Sequence, residues 1–247
     1  DRGWMNGHAN RWQAVEITKL FLEKGYNVDV IDHKDTNFIP QKDYEVLFGH
    51  EPLYWDLVQQ YKFKTKIYYA TTLTWIHRNQ EIKSRTHELL ARRKIKLSYP
   101  PLDPEHCSWD YSDAIFYFGD EFYLETIKKL IKSKATFFRI QNGIPDIENT
   151  EKKDFNTIRK NFIYIGSWGP IFRGLDRLLE IFSKHPEFNL YICTDILYNT
   201  VFFWKFRKEL FGKGNIYSLG FVDTNSEYFN EVASNCCWQI YPSGSEA

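Results

Sequence analysis

The sequence predicts an α/β fold of two doubly wound parallel sheets, because strand-like and helix-like segments alternate along its length. Short continuous apolar runs are typical of strands that are buried on both faces of a parallel sheet. Apolar residues spaced three or four apart are typical of the helices that cover such a sheet. Apolar residues make up 43% of the 247 residues and aromatic residues 18%, so the chain has enough apolar surface for a sizeable core.

The first half of the chain begins with an amphipathic helix. Apolar residues at helical intervals predict this helix over 12–24, and Gly25 is typical of the residue that follows a helix end. A helix that opens a doubly wound unit normally follows a strand, so we infer that an N-terminal strand is missing from this sequence. We expect the other strands at 26–31, 45–48, 66–70, 114–118 and 137–140, and the other helices at 81–93 and 121–133.

A polar stretch at 146–160 predicts the boundary between two domains, which we place at 1–150 and 151–247. The second domain repeats the alternation of strand and helix. We expect its strands at 161–165, 188–193, 215–219 and 237–241, and its helices at 175–184, 202–211 and 226–234. This order corresponds to one doubly wound half that stops early.

The charges of the chain balance, with 32 Lys and Arg residues against 32 Asp and Glu residues. A balanced chain has no long-range field that would favour nucleic acid or an anionic membrane, although local basic patches remain possible. We expect the basic runs at 92–94 and 128–134 to lie on solvated helix faces.

The four cysteines contain no CxxC pair, and Cys236 and Cys237 lie in an apolar stretch. We expect buried reduced thiols rather than a disulfide framework or a metal site, which fits a cytoplasmic location. No signal peptide is visible, and no apolar run approaches the roughly 18 residues needed to span a bilayer.

The segment 166–174 joins a predicted strand to a predicted helix and contains Gly166, Gly169 and Arg173. Such a loop offers backbone N–H groups and the positive end of a helix to an anion, and an arginine can hold two phosphate oxygens at once. The alternative is that the glycines only form a tight turn and that Arg173 is solvated. The segment lacks the Gly-Lys-Ser/Thr ending of a Walker loop and is not a GxGxxG motif.

The last six residues, 242–247, place a carboxylate, Glu246, soon after the strand predicted at 237–241. In a doubly wound sheet, ligands bind outside the carboxyl ends of the strands, so Glu246 is a candidate for a ligand contact. The alternative is an ordinary exposed loop carboxylate.

Five pieces of the second half, in order and with similar gaps, resemble the sugar-nucleotide domain of the GT-B glycosyltransferases of family 4, a retaining group. These pieces are 162–167, 173–182, 190–193, 215–222 and 240–246. The segments 9–31, 112–116 and 141–143 resemble the acceptor-side domain and the hinge more loosely. The resemblance implies a protein truncated at both ends. It also implies transfer of a hexose from a nucleoside diphosphate sugar, with retention, no metal and no cofactor beyond that co-substrate.

The resemblance also implies roles for the loop residues. Gly166, Ser167, Trp168, Gly169 and Arg173 would bind the diphosphate of the sugar donor. Many family members have a second arginine early in this loop, where this chain has Ser167 and Trp168. This departure puts a second cationic contact in doubt.

For the end of the chain, the resemblance implies that Ser245 and Glu246 contact the transferred sugar and that Glu246 and Arg173 carry the catalysis. The family has a second glutamate eight positions after the first, which would lie beyond Ala247.

On the acceptor side, the family often has a histidine at the end of a central strand. Thr74 stands at about that place, His77 is a substitute three residues on, and His8 precedes the first helix and could line an acceptor site. The alternatives are an ordinary histidine at a helix start and exposed residues near a helix cap.

The expected partners are a nucleotide-sugar donor and a saccharide, lipid-linked or small-molecule acceptor, with peripheral membrane contact as a further expectation and no nucleic acid. Two other functions stay open. One is a sugar-nucleotide epimerase or a phosphorylase on the same fold. The other is a catalytically degenerate binding subunit, which the missing histidine and the missing second cation favour.

Overall fold

The computed structural model describes residues 9–141, 153–166 and 169–244. These residues form two compact units: the first unit holds 9–77 and 103–141, and the second unit holds 78–102, 153–166 and 169–244. Each unit contains a four-stranded parallel sheet with alternating helices, which confirms the predicted α/β fold of two Rossmann-like sheets. The predicted boundary at residue 150 lies outside the described residues and stays a prediction.

The first unit is built on four short strands and the helices between them. The strands are β1 (Val46–Gly49), β2 (Thr65–Ala70), β3 (Ala114–Tyr117) and β4 (Thr136–Arg139). The helices are α1 (Ala9–Glu23), α2 (Leu53–Gln60), α3 (Trp75–Arg93) and α4 (Glu121–Lys128). The strands lie in the order β1-β2-β3-β4, and the residues of α3 from Arg78 onward belong to the second unit.

Helices contact both faces of this sheet. Alternate residues of a strand point to opposite sides, so each strand contributes side chains to both contacts. On one face, Ile115 and Tyr117 of β3 share a core with residues of α2 and α4. On the other face, Phe48 of β1 contacts Phe21 of α1, with ring centroids 5.9 Å apart. The first sheet is therefore packed on both sides, as the apolar run at 114–118 predicts.

The second unit repeats this design. Its strands are β5 (Asn161–Ile165), β6 (Asn189–Cys193), β7 (Ile216–Gly220) and β8 (Trp238–Gln239). Its own helices are α5 (Phe155–Ile158), α6 (Leu175–Phe182), α7 (Thr200–Phe211) and α8 (Glu227–Ser234). The strands lie in the order β7-β6-β5-β8, so the chain builds outward from β5 first to one side and then to the other.

Neighbouring residues of β5 pack on opposite faces of the second sheet. Tyr164 is fully buried in a core with residues of α6 and α7, whereas Ile163 packs with Val232 and Cys236 on the other face. The place where strand order reverses, beside β5, is where ligands bind in open sheets of this kind.

The strand predicted at 26–31 is wrong, because these residues form no strand. Their alternation of Val and polar residues favours a strand locally, but no neighbouring strand pairs with them. Val30 is 66% exposed, and Asp29 is bonded instead to Lys42 and Tyr44. The lack of a pairing partner outweighs local propensity here.

Several helices also differ from their predictions: besides the two described next, the short helix α5 was not predicted, and α4 ends at Lys128 instead of residue 133. Helix α2 was not predicted, although Leu53 and Leu57 are buried one helical turn apart. Helix α3 begins at Trp75, six residues before its predicted start at residue 81.

In the basic run at 92–94, Arg92 and Arg93 are not merely solvated, because both form ion pairs within the protein. Nη2 of Arg92 lies 2.6 Å from a carboxylate oxygen of Asp176, which is only 2% exposed. Nη2 of Arg93 lies 2.6 Å from Oε1 of Glu209, and Glu88 pairs with Arg177. These ion pairs fasten α3 to α6 and α7, so the positive charges are neutralised within the second unit.

The cysteines are unpaired, and their burial differs from one to the next. Cys193 and Cys236 are buried as predicted, Cys237 is half-buried and Cys107 is exposed. Burial raises the pKa of Cys193 to about 11 and that of Cys236 to about 12, so both stay protonated at neutral pH. Within the described ranges, no helix is both long enough and apolar enough to cross a membrane.

Candidate functional site

The loop after β5 turns sharply before α6, and two of its glycines cannot be replaced without movement. A Cβ on Gly166 would lie 2.6 Å from the ring of Tyr164, which fills the core below it. Gly174 has φ +75°, a left-handed conformation, and a Cβ there would lie 2.5 Å from the carbonyl oxygen of Pro242. The glycines therefore permit close approach of the backbone at both ends of this loop.

Three backbone N–H groups at the end of this loop are bonded within the loop itself. The N–H of Arg173 donates to the carbonyl of Gly169, and that of Gly174 donates to the carbonyl of Ile171, both at 2.9 Å. The N–H of Leu175, the first residue of α6, donates to the carbonyl of Pro170 at 2.8 Å. These three amides hold the loop in shape and are not offered to an anion, and Arg173 remains a candidate cation for a phosphate.

The segment that follows β8 reaches this loop. The N–H of Gly244 donates to the carbonyl of Phe172 at 3.1 Å, and Gly174 packs against Pro242. The guanidinium of Arg173 lies over the ring of Tyr241, 5.5 Å from its centroid. Two pieces that are about 70 residues apart in sequence are thus brought together at the carboxyl ends of β5 and β8.

Several predicted site residues cannot be placed. Ser167, Trp168, Ser245, Glu246 and His8 lie outside the described residues. The described chain stops at Gly244, immediately before Ser245 and Glu246.

Helix α3 supports the segment after β8, which the sequence did not predict. Nη2 of Arg85 donates to the carbonyl of Pro242 at 3.4 Å. A Cβ on Gly244 would lie 2.8 Å from Oε2 of Glu81, and Glu81 lies 3.7 Å from Nε of Arg85. No sequence signal identifies this contact, because it joins residues 157 positions apart and involves ordinary helix residues.

A cavity of about 380 Å³ opens beside the loop within the second unit. Its walls come from residues 169–172 after β5, 194–196 after β6 and 96–101 after α3. A larger cavity of about 700 Å³ lies in the first unit, where Lys66, Asp113 and Ala135 mark the amino ends of the strands. The carboxyl-end position favours the smaller cavity as the ligand site.

The two acceptor-side candidates that the structure describes lie together at the start of α3. Thr74 is buried, and its hydroxyl is 2.9 Å from Nδ1 of His77. This contact is the arrangement expected of an ordinary helix start, the alternative interpretation of His77. The contact uses Nδ1 of His77 and does not involve Nε2, the other ring nitrogen.

A cluster that the sequence did not single out follows β1. His50 stacks near His33, with ring centroids 4.4 Å apart, and Oε1 of Glu51 lies 3.1 Å from Nδ1 of His106. Burial lowers the pKa of both His50 and His106 to about 4 and raises the pKa of Glu51. The low dielectric therefore favours the neutral forms of all three groups. The position of His50 and Glu51 directly after β1 is the signal that could have identified these two residues.

No group of three or more His, Cys, Asp or Glu side chains in the described part of the chain could hold a metal ion.

Comparisons with known proteins identify the fold alone. No family model matches the chain, and no curated protein matches it. A crystal structure of TarM, a glycosyltransferase, has a TM-score of 0.52 over 81% of this chain and 36% of TarM, at 12% identity. A point mutant of S. aureus TarM, in complex with fondaparinux, α-GlcNAc-glycerol and UDP, has a TM-score of 0.46 over 74% and 33%, at 13% identity.

The chain spans about a third of the length of the TarM chains that it matches. The likeness in fold to TarM, together with the two parallel sheets, confirms the predicted GT-B type of fold.

Proposed function

We propose that this chain is part of a glycosyltransferase that moves a hexose from a nucleoside diphosphate sugar to an acceptor, with retention at the anomeric carbon. The observation that carries this proposal is the meeting of two segments at the switch point of the second sheet. The loop that bears Arg173 and the segment that leads to Glu246 touch through Gly174 and Pro242. Ligands of open α/β sheets bind at such a point.

In this proposal, Arg173 holds the diphosphate. Bond cleavage at the anomeric carbon leaves negative charge on the departing diphosphate, and a fixed guanidinium stabilises that charge as it forms. The packing of Arg173 over Tyr241 supports such a role, because it limits the positions that the guanidinium can take. A positioned cation needs no reorganisation during the reaction.

The remaining parts of the donor site are proposed from the family resemblance. Gly166, Ser167, Trp168 and Gly169 would line the diphosphate, and Ser245 and Glu246 would bind the hydroxyls of the sugar and orient its anomeric carbon. The internal hydrogen bonds of the loop support a fixed shape for this site. Neither a metal nor a further cofactor is part of the proposal.

The second unit would bind the donor, and the first unit would bind the acceptor through residues at the carboxyl ends of its strands. Thr74 and His77 are acceptor-side candidates from the sequence, together with His8. His50 is added to them because it follows β1 directly. The acceptor would be a saccharide, a lipid-linked molecule or a small molecule.

The test is product analysis with the full chain, a panel of nucleoside diphosphate sugars and mixed acceptors. We expect release of the nucleoside diphosphate together with a glycoside whose anomeric configuration matches that of the donor. Formation of an epimerised nucleotide sugar without a glycoside would instead assign an epimerase. Nucleotide binding without any turnover would assign a catalytically degenerate binding subunit.

A further inference from the structure

Helix α7 has one buried face and one outward face that carries large apolar side chains. Phe202, Phe206 and Leu210 are at most 1% exposed and pack in the core of the second unit. On the opposite side, the large apolar side chains at positions 201, 204 and 211 are exposed: Val201 by 52%, Trp204 by 60% and Phe211 by 61%. Because an α-helix has 3.6 residues per turn, these three residues lie on one stripe. Single exposed apolar residues are common, but a stripe of three forms a patch.

The same face carries only positive charge from its own helix. Lys205, Arg207 and Lys208 are exposed along the apolar stripe, and the guanidinium of Arg207 lies 5.7 Å from the ring centroid of Trp204. The one acidic residue in the sequence of α7 is Glu209, which pairs with Arg93 inside the second unit. The outward face therefore combines three cations with an aromatic stripe.

We propose that this outward face of α7 docks on the surface of an anionic lipid bilayer. A helix with basic residues beside Trp and Phe lies in the interface, where the rings enter the acyl boundary and the cations meet the lipid phosphates. Each cation near an anionic surface adds to the attraction. The proposal does not depend on the activity of the protein.

Charge argues against a second copy of the chain as the occupant. Two outward faces brought together would place three cations against three, and like charges at an interface are unfavourable. A bilayer surface of opposite charge avoids that cost.

Docking would also place the candidate ligand cavity beside the bilayer. Val201, the first residue of the stripe, lines the cavity of about 380 Å³ next to the loop after β5. A membrane-bound molecule would then meet the cavity without leaving the surface.

The test is co-sedimentation of the full chain with two kinds of vesicle, one of equal parts phosphatidylglycerol and phosphatidylcholine and one of phosphatidylcholine alone. We expect binding to the anionic vesicles that weakens as salt is raised, and little binding to the neutral vesicles. Equal partition into both vesicles, or into neither, would overturn the proposal.

Variants locate the surface. Replacing Lys205, Arg207 and Lys208 together by Gln should lower the partition constant on the order of 100-fold. The double variant Trp204→Ala, Phe211→Ala should lower it at least about tenfold. Tyr228→Ala is the matched control, since Tyr228 is 51% exposed on α8, and it should bind as the parent chain does.

Two outcomes count against this surface even if the chain binds anionic vesicles. Undiminished binding by the α7 variants would place the contact elsewhere on the protein. A dimer in lipid-free solution that Trp204→Ala abolishes would make this face an interface between copies.

Discussion

The carboxyl end of the second sheet and the carboxyl end of the first sheet differ in charge. At the second, a fixed arginine stands where two backbone segments meet, and the loop amides around it are bonded to one another. At the first, the residues that follow β1 and β2 are His50, Glu51 and Thr74, and burial favours neutral forms of the first two. The same sheet design thus yields one end that carries a cation and one end whose buried titratable groups favour neutral forms, and the proposed function assigns the diphosphate to the first of these and the acceptor to the second.

This difference comes from what lies next to each strand end. Glycines allow the backbone after β5 to approach Tyr164 and Pro242, so the loop that carries Arg173 packs tightly against both. After β1, aromatic residues crowd the polar groups, and the rings of Trp55, Tyr68 and Trp109 lie near His106. Low dielectric around a titratable group removes its charge, so packing sets the charge of each site.

The largest expected effect is the loss of turnover when the cation at the carboxyl end of the second sheet is removed. Arg173→Ala should lower turnover of a nucleotide sugar on the order of 100- to 1,000-fold, because it removes the cation that stabilises the leaving diphosphate. Arg173→Lys keeps the charge but lacks the fork of two N–H groups, so its turnover should lie between that of the parent chain and that of Arg173→Ala. Steady-state kinetics with the full chain measures both.

Arg159→Ala is the matched control for this prediction, since Arg159 is an exposed arginine of the same unit. It should leave turnover unchanged. Parent-like turnover in Arg173→Ala would exclude Arg173 from the donor site. The carboxyl ends of the two sheets would then no longer differ by a functional cation.

The next effect is on stability and concerns the ion pair between α3 and α6, the helix that follows the loop of Arg173. Arg92→Ala should lower the free energy of unfolding by about 2–3 kcal/mol, because it leaves the buried carboxylate of Asp176 without its cation. Burial raises the pKa of Asp176 in spite of Arg92, so the loss of that partner is costly. Urea denaturation measures the change.

Lys128→Ala is the comparison, since Lys128 and Glu125 form an exposed pair at 3.1 Å. It should cost at most about 0.5 kcal/mol. Equal losses in Arg92→Ala and Lys128→Ala would mean that α3 is not held by its ion pairs.

The sequence predicts the second unit better than the first, for a physical reason. The four strands of the second unit are predicted from their apolar patterning and from the alternation of strand and helix. The strand predicted at 26–31 fails because sheet pairing, which is not local, decides whether a β-rich segment becomes a strand. Helix α3 is predicted as a helix, but nothing local indicates that Arg92 and Arg93 pair with residues more than 80 positions away.

The same division holds for the candidate site. The loop at Arg173 is predicted from glycine spacing and the following helix, which are local features. The support from Arg85 and the cluster around His50 and His106 depend on tertiary contacts. Thr74 and His77 are predicted as separate candidates, and only the structure brings their side chains within 2.9 Å of each other.

A smaller effect sharpens the comparison at the meeting of the two backbone segments. Gly174→Ala should cost about 2 kcal/mol of stability, because it combines a left-handed φ of +75° with a Cβ only 2.5 Å from the carbonyl oxygen of Pro242. It should also weaken binding of a nucleoside diphosphate by pushing apart the loop and the segment after β8. Calorimetric titration and urea denaturation measure the two effects.

Gly214→Ala is the control, since a Cβ there meets nothing within 4 Å and the residue lacks a left-handed φ. It should change stability by less than about 1 kcal/mol. If Gly174→Ala bound a nucleoside diphosphate as tightly as Gly214→Ala does, the meeting of these segments would not form the donor site.

The smallest effect tests the neutral end through pH. His50 and His106 have pKa values lowered to about 4, against 6.5 for an unburied histidine, so between those values the unfolded chain binds protons that the folded chain does not. The free energy of unfolding should therefore be highest above pH 6.5 and fall as the pH drops towards 4. After the opposing effect of Glu51, the fall should be roughly 1 kcal/mol per pH unit. Glu51 opposes part of this fall, because its raised pKa lets the folded chain take up a proton first.

Urea denaturation at about pH 7 and about pH 5 measures the slope of stability against pH. His50→Asn should reduce this slope, and His185→Asn, at an exposed position, should leave it unchanged. A slope that the His50 variant shares with the parent would mean that His50 is charged in the folded protein, and the contrast between a charged end and a neutral end would then be lost.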